Sequence, residues 1–131
     1  MVPARIADTG ASPRATILVV EDEPLVRMML VDVLYEAGFK AIEAAHADEA
    51  LKVLDAVPEI RAVITDVEMP AGSMNGFGLA RLVRAQWRIA VLILSGQEVP
   101  GPDGLAPGVD FLRKPVGPDS IVPRLERLLG S

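Results

Sequence analysis

Five short apolar runs, mostly separated by stretches of helical character, constrain this chain more than any other feature. "ATILVV" (15–20), "KAIEAA" (40–45), "IRAVIT" (60–65), "IAVLIL" (89–94) and "VDFLRK" (109–114) have the length and β-branched content of strands. Between the first two, Pro24 suits the first turn of a helix, where its missing N–H is not needed, and Gly38 suits the position just past the end. "ADEALKVLDAV" (47–57) carries Asp48 and Glu49 in its first turn, as the helix dipole favours, and Pro58 follows it. "GFGLARLVRAQ" (76–86) has Asn75 as its N-cap, and "DSIVPRLERLL" (119–129) closes the chain with Pro123 in its early turns. Strand and helix in alternation predict an α/β domain, with parallel strands, right-handed crossovers and helices on both faces. In such a sheet ligands bind beyond the carboxyl ends of the strands.

Composition narrows the class. A chain of 131 residues, 50% hydrophobic and 24% charged, supports one globular domain with a proper core. Residues 1–15 mix Pro, Gly, Ala and Ser without periodicity and read as a flexible tail, leaving 16–131 as the domain. The net charge of −5, with no block of Lys or Arg, argues against nucleic-acid binding. The absence of cysteine excludes disulfides and thiolate chemistry. No secretory h-region precedes the first strand, and runs such as "AVLIL" (90–94) are far too short to span a membrane. A soluble, cytoplasmic protein is expected.

The residues at the strand ends are the informative ones. Glu21, Asp22 and Glu23 follow the first strand, Asp66 the third and Ser95 the fourth, while Lys114 and Pro115 close the fifth. Taken singly, each is an ordinary cap, turn or surface residue. Together they place acids, a hydroxyl and an ammonium at one end of one sheet. Clustered carboxylates repel by roughly 4 kcal/mol per pair at 4 Å and an effective dielectric of 20. A divalent cation relieves that repulsion, and Mg²⁺ suits hard oxygen ligands while retaining several waters. With a cation and a lysine beside it, a carboxylate can take up a phosphoryl group as an acyl phosphate.

The stretches "VVEDEP" (19–24), "ITDVEMP" (64–70), Gly76 at the start of the third helix, "LILSG" (92–96) and "FLRKP" (111–115) resemble, in order, the receiver domain of two-component response regulators, of the stand-alone chemotaxis-regulator type. The resemblance spans 16–129. It implies a flavodoxin-like sheet of order 2-1-3-4-5 and a phosphoprotein switch rather than an enzyme, catalysing only its own phosphorylation and dephosphorylation. By the same resemblance Asp66 is the phosphoacceptor. Mg²⁺ (or Mn²⁺) is held by Asp22, Asp66 and the backbone carbonyl of Glu68, with Glu21 acting through a water. Lys114 pairs with Asp66 and then with the phosphoryl group, Ser95 swings to a phosphoryl oxygen, and Phe111 is the switch aromatic. The Lys114–Pro115 bond is implied to be cis, and Glu68 and Gln97 flank the site where side chains tune attack by water. A sensor histidine kinase or histidine phosphotransfer protein is the implied donor. The chain ends at Ser131 just after its last helix, so output is expected through a partner protein, without nucleic acid or membrane.

Two departures stand out. The loop "AGSMN" (71–75) delays Gly76 by two residues, which costs the fold little. Residues 96–108 carry Pro100, Pro102 and Pro107 with four glycines, so the fourth helix of the family pattern is expected to be short or missing. That keeps a phosphate-independent binding module as an alternative, and Asp66-x-Glu68 leaves an aspartyl-phosphate-forming phosphatase as a further one. Among smaller features, His46 reads as a loop histidine, Trp87 as a half-buried anchor, and Met28, Met29 and Leu30 as core packing.

Overall fold

The computed structural model describes residues 14–70, 74–96 and 104–130. Its elements are β1 (Thr16–Val20), α1 (Pro24–Glu36), β2 (Lys40–Ala44), α2 (Ala47–Ala56), β3 (Ile60–Asp66), α3 (Gly76–Gln86), β4 (Ala90–Ser95), β5 (Val109–Arg113) and α4 (Pro118–Leu129). The five strands form one sheet of order β2-β1-β3-β4-β5, parallel at every pairing. This is the doubly wound, flavodoxin-like arrangement.

The period-two alternation of strand side chains divides the core into two layers. Leu18, Val20, Val63, Val91 and Ile93 face α2 and α3, meeting Ala50, Leu54, Leu79 and Val83. Ile17, Val19, Ile64, Leu92 and Leu94 face the other way onto Leu30, Leu34, Ile121 and Leu125 of α1 and α4. Burying each large aliphatic side chain contributes about 1.5–3 kcal/mol, so the central strands β1, β3 and β4 are the most firmly held part of the molecule.

Local signals set the helix boundaries. Pro24 occupies the first turn of α1, and the Glu23 carboxylate caps it by accepting from the N–H groups of Leu25 and Val26. At the other end Gly38 takes φ +91°, while the N–H groups of Gly38 and Phe39 donate to the carbonyls of Tyr35 and Leu34. That pattern closes the helix and buries Phe39. His46 is more than a loop residue: its Nδ1 accepts from the N–H of Glu49 at 3.3 Å and caps α2.

Three expectations change. Met28 and Met29 are not core residues but 52% and 62% exposed, and only Leu30 of that trio is buried. The buried face of α1 is set by Leu30, Val31 and Leu34, and residues 28 and 29 lie about 200° around the helix from 30 and 31. Asp66 and Ser95 are the last residues of β3 and β4 rather than the first of their loops, because the ladder continues through Asp66 opposite Leu94 and Ser95 opposite Arg113. Arg14 and Ala15 belong to the folded domain, through Arg14 N–H to the Gly38 carbonyl and Lys40 N–H to the Ala15 carbonyl. The rest of the expected tail, residues 1–13, lies outside the described residues, as do 71–73 of the loop before α3 and 97–103 between β4 and β5. Among the described residues between those two strands there is no helix.

Gly76 ties the fold to the strand end. A Cβ there would run into the Asp66 carbonyl oxygen and stand 2.9 Å from both the Asp66 carbonyl carbon and Val67 Cα. At Gly78 the nearest obstacle is the partly exposed Met74 side chain rather than backbone. Gly76→Ala is therefore expected to cost about 1–3 kcal/mol in urea unfolding, against a near-neutral Gly78→Ala. Equal stabilities for the two variants would contradict this packing.

Candidate functional site

Adjacent parallel strands end at a common level, which sets the site. Glu21 and Asp22 directly follow β1, Asp66 ends the neighbouring β3, Ser95 ends β4, and Lys114 directly follows β5. Main-chain bonds fix these ends: Glu21 N–H to the Ala44 carbonyl, Val67 N–H to the Leu94 carbonyl, and Lys114 N–H to the Ser95 carbonyl at 2.7 Å.

Carboxylate oxygens of Glu21, Asp22 and Asp66 all lie within 4.8 Å of one another. Asp66 is 6% exposed and Glu21 3%, whereas Asp22 is open to solvent. Asp66 Oδ1 accepts from the Val67 N–H at 2.9 Å and pairs with Lys114 Nζ at 3.1 Å. Glu21 Oε2 accepts from the Glu23 N–H, and Arg27 braces the loop through the Glu21 carbonyl and the Glu43 carboxylate. Among the described residues, one ammonium thus serves a cluster of three carboxylates, within ion-pair distance of Asp66 and Glu21. Burial, more than any other cause, raises the Glu21 carboxyl above its ordinary value of 4.5. The Glu23 N–H and Lys114 oppose the shift, while Asp66 and Asp22 reinforce it.

Two buried polar atoms in this region find no hydrogen-bond partner, Glu21 Oε1 and Ser95 Oγ. Lys114 Nζ stands 4.0 Å from Glu21 Oε1, an ionic approach without a hydrogen bond. Such orphans are rare in folded proteins and call for a ligand. A hard divalent cation fits the all-oxygen set of Glu21, Asp22 and Asp66, because it supplies the charge these acids lack.

The remaining expected residues are arranged around this cluster. The Lys114–Pro115 bond is cis. Phe111 is half-buried on β5, its ring stacked on Phe77 of α3 at 6.3 Å between centroids. Glu68 is exposed two residues past Asp66, and Gln97 lies outside the described residues. Sequence reasoning missed Arg27 and Phe77. Arg27 carries no signal beyond its spacing from Glu21, and Phe77 could have been paired with Phe111 only once the α3–β5 geometry was known.

A family model for the response regulator receiver domain matches residues 17–126. Chemotaxis protein CheY1 of Helicobacter pylori is 33% identical, over 88% of this chain and 97% of its own length. The alkaline phosphatase synthesis transcriptional regulatory protein SphR of Synechococcus elongatus is 35% identical over 95% of this chain, which spans 52% of that protein. The chain spans about half or less of several other regulators that it matches. Among solved structures, response regulator TrrA of Thermotoga maritima, in complex with Mg²⁺-BeF, superposes with a TM-score of 0.77 at 26% identity, over 88% of this chain and 99% of that one. The chain belongs to the response regulator receiver domain family and is a receiver domain of a two-component response regulator. No helix among the described residues is long and apolar enough to cross a membrane.

The raised Glu21 pKa has a definite sign in stability. A carboxyl that holds its proton more tightly in the folded state favours the fold when protonated, so stability falls as pH rises from 4.5 through the folded value. In metal-free protein, Glu21→Gln is expected to keep the bond from Glu23, to be more stable than the parent at neutral pH, and to flatten that fall. Urea unfolding at about pH 5 and about pH 8 measures it. A variant less stable than the parent at the higher pH would refute the reading.

Proposed function

We propose that the domain is a phosphorylation switch in which Asp66 accepts a phosphoryl group from a phosphohistidine of a sensor kinase or histidine phosphotransfer protein. The observation that carries this reading is the position of Asp66: on a buried strand end, 3.1 Å from Lys114 Nζ, within a cluster of three carboxylates. A bond forms from an Asp66 oxygen to phosphorus as the P–N bond breaks, and the imidazole leaves with the electron pair. Asp22, Asp66 and the Glu68 carbonyl would hold Mg²⁺ (or Mn²⁺), with Glu21 assisting through a water, and the cation would supply positive charge to the transferring oxygens.

The chain's own residues do the rest. Val67 N–H and Lys114 orient the Asp66 carboxylate before transfer. As the carboxylate becomes an ester-like acyl phosphate, the Lys114 ammonium moves its pairing to a phosphoryl oxygen. The unpartnered Ser95 hydroxyl donates to another. Phe111, stacked on Phe77, follows that movement and carries the change to the surface of β5. Glu68, exposed two residues past Asp66, is placed to govern the approach of water that later hydrolyses the phosphate. In this reading the domain catalyses only its own phosphorylation and dephosphorylation, and its phosphorylated state is what a downstream element recognises.

The donor has a surface to meet. Val26, Met29 and Val33 of α1 and Ile121 of α4 line a groove of about 480 Å³ that reaches Lys114 and Pro115, and Leu25 and Met28 are exposed on the same helix α1. An amphipathic helix of the donor would fit such a groove.

Incubation with acetyl phosphate and Mg²⁺ followed by intact-protein mass measurement tests the chemistry. One added phosphoryl group is expected, lost on chelation of the metal and in Asp66→Asn. Labelling that persists in Asp66→Asn, or no labelling by acetyl phosphate or by histidine kinases, would refute the proposal.

A further inference from the structure

At the opposite end of the sheet, one strand length or about 20 Å from the acidic cluster, Arg61, Arg84 and Arg88 line a common hollow of about 330 Å³. Arg61 is near the start of β3, Arg84 is in the last turn of α3, and Arg88 immediately follows that helix. Ile89, Gly108 and Leu128 complete the wall. Elsewhere in the domain, arginines that fold onto the surface take a carboxylate: Arg14 with Glu126, Arg27 with Glu43, and Arg124 with Asp110. None of the three arginines here has a carboxylate within ion-pair distance among the described residues. Three arginines around one hollow, none paired with a carboxylate of the described residues, form a local concentration of positive charge in a chain of net charge −5.

Backbone features support the arrangement. Arg88 sits at φ +60°, its N–H donating to the Val83 carbonyl, in the left-handed position after a helix that glycine normally fills. A side chain there costs about 1 kcal/mol relative to glycine. Arg84 Nη1 donates to the Ile89 carbonyl at 3.1 Å, which uses one of the five N–H donors of the guanidinium and fixes its plane. Gly108 leaves room for it, since a Cβ there would stand 2.5 Å from Arg84 Cζ. Favourable interaction with the α3 dipole accounts for Arg84, but not for Arg61 or for the strained backbone at Arg88.

We propose that this hollow is a binding site for a small phosphate-bearing anion. Arginine forks match phosphate oxygens two at a time, and three of them around one pocket suit a diphosphate better than a single carboxylate. The pocket volume is in the range of small-ligand sites, and Ile89 and Leu128 offer an apolar wall beside the charges.

The test is a titration of the full chain with inorganic pyrophosphate, in the absence of Mg²⁺, followed by amide ¹H–¹⁵N shifts. Saturable shifts are expected at Arg88, Ile89 and Gly108, with affinity falling about tenfold or more in Arg61→Ala and Arg88→Gly. Arg88→Gly places glycine where the backbone favours it, so that variant melts no lower than the parent and its loss of binding is not a loss of fold. A parallel titration with ADP identifies the source of the anion. Tighter binding of ADP assigns the apolar wall to a nucleoside, and equal binding assigns the site to the phosphates alone; both support it. Shifts confined to Lys114 and Ser95, no saturable shift at all, or undiminished binding by Arg88→Gly would overturn the proposal.

Discussion

One ammonium against three carboxylates is the interaction on which the rest of this structure depends. Lys114 neutralises Asp66 at 3.1 Å and reaches Glu21 only at 4.0 Å, while Asp22 completes the acidic group. Charges so close would splay apart on mobile loops. Here Asp66 is locked into the ladder of β3, and the flanking residues are tied by main-chain bonds to the ends of neighbouring strands. The two apolar layers serve this purpose: they hold four strand ends level, so that the repulsion is stored rather than relaxed.

Storage of that kind explains the local exceptions to good packing. Among the described residues, Glu21 Oε1 and Ser95 Oγ are the buried side-chain polar atoms without hydrogen bonds. In a structural core these would be defects. Beside a carboxylate poised for phosphoryl transfer they are the places where a cation and a phosphoryl oxygen would be received. Gly76 belongs to the same logic, since α3 must begin in contact with the Asp66 carbonyl, and only a residue without Cβ allows that approach.

Most of this was legible in the sequence, for reasons that differ by element. The central strands are buried on both faces, so they appear as unbroken apolar runs, and the acids Glu21, Asp22 and Asp66 stand out where those runs stop. The order of β1 to β5 follows from the alternation with helices together with the family resemblance. The first helix was harder to phase. Leu25, Val26, Met28, Met29, Leu30 and Val31 are apolar nearly all round, so periodicity could not say that both methionines face outward. The His46 cap escaped notice because histidine is not among the usual capping residues, although Glu49 stands three positions on, as in a capping box. The arginine hollow was invisible for another reason: Arg61, Arg84 and Arg88 form no run in the chain and meet only after the sheet and α3 have folded.

The central claim is that the carboxylate cluster is strained without a cation and stabilised by one. Urea unfolding of the parent and of Asp66→Asn, each with and without Mg²⁺, measures this directly. At a Mg²⁺ concentration roughly ten times the dissociation constant, the parent should gain about 1.4 kcal/mol. Asp66→Asn, relieved of one negative charge, should match or exceed the parent without the metal and gain much less with it. A parent whose stability ignores Mg²⁺, or a variant that gains as much, would show that the cluster is an ordinary acidic surface and not a site built for a cation.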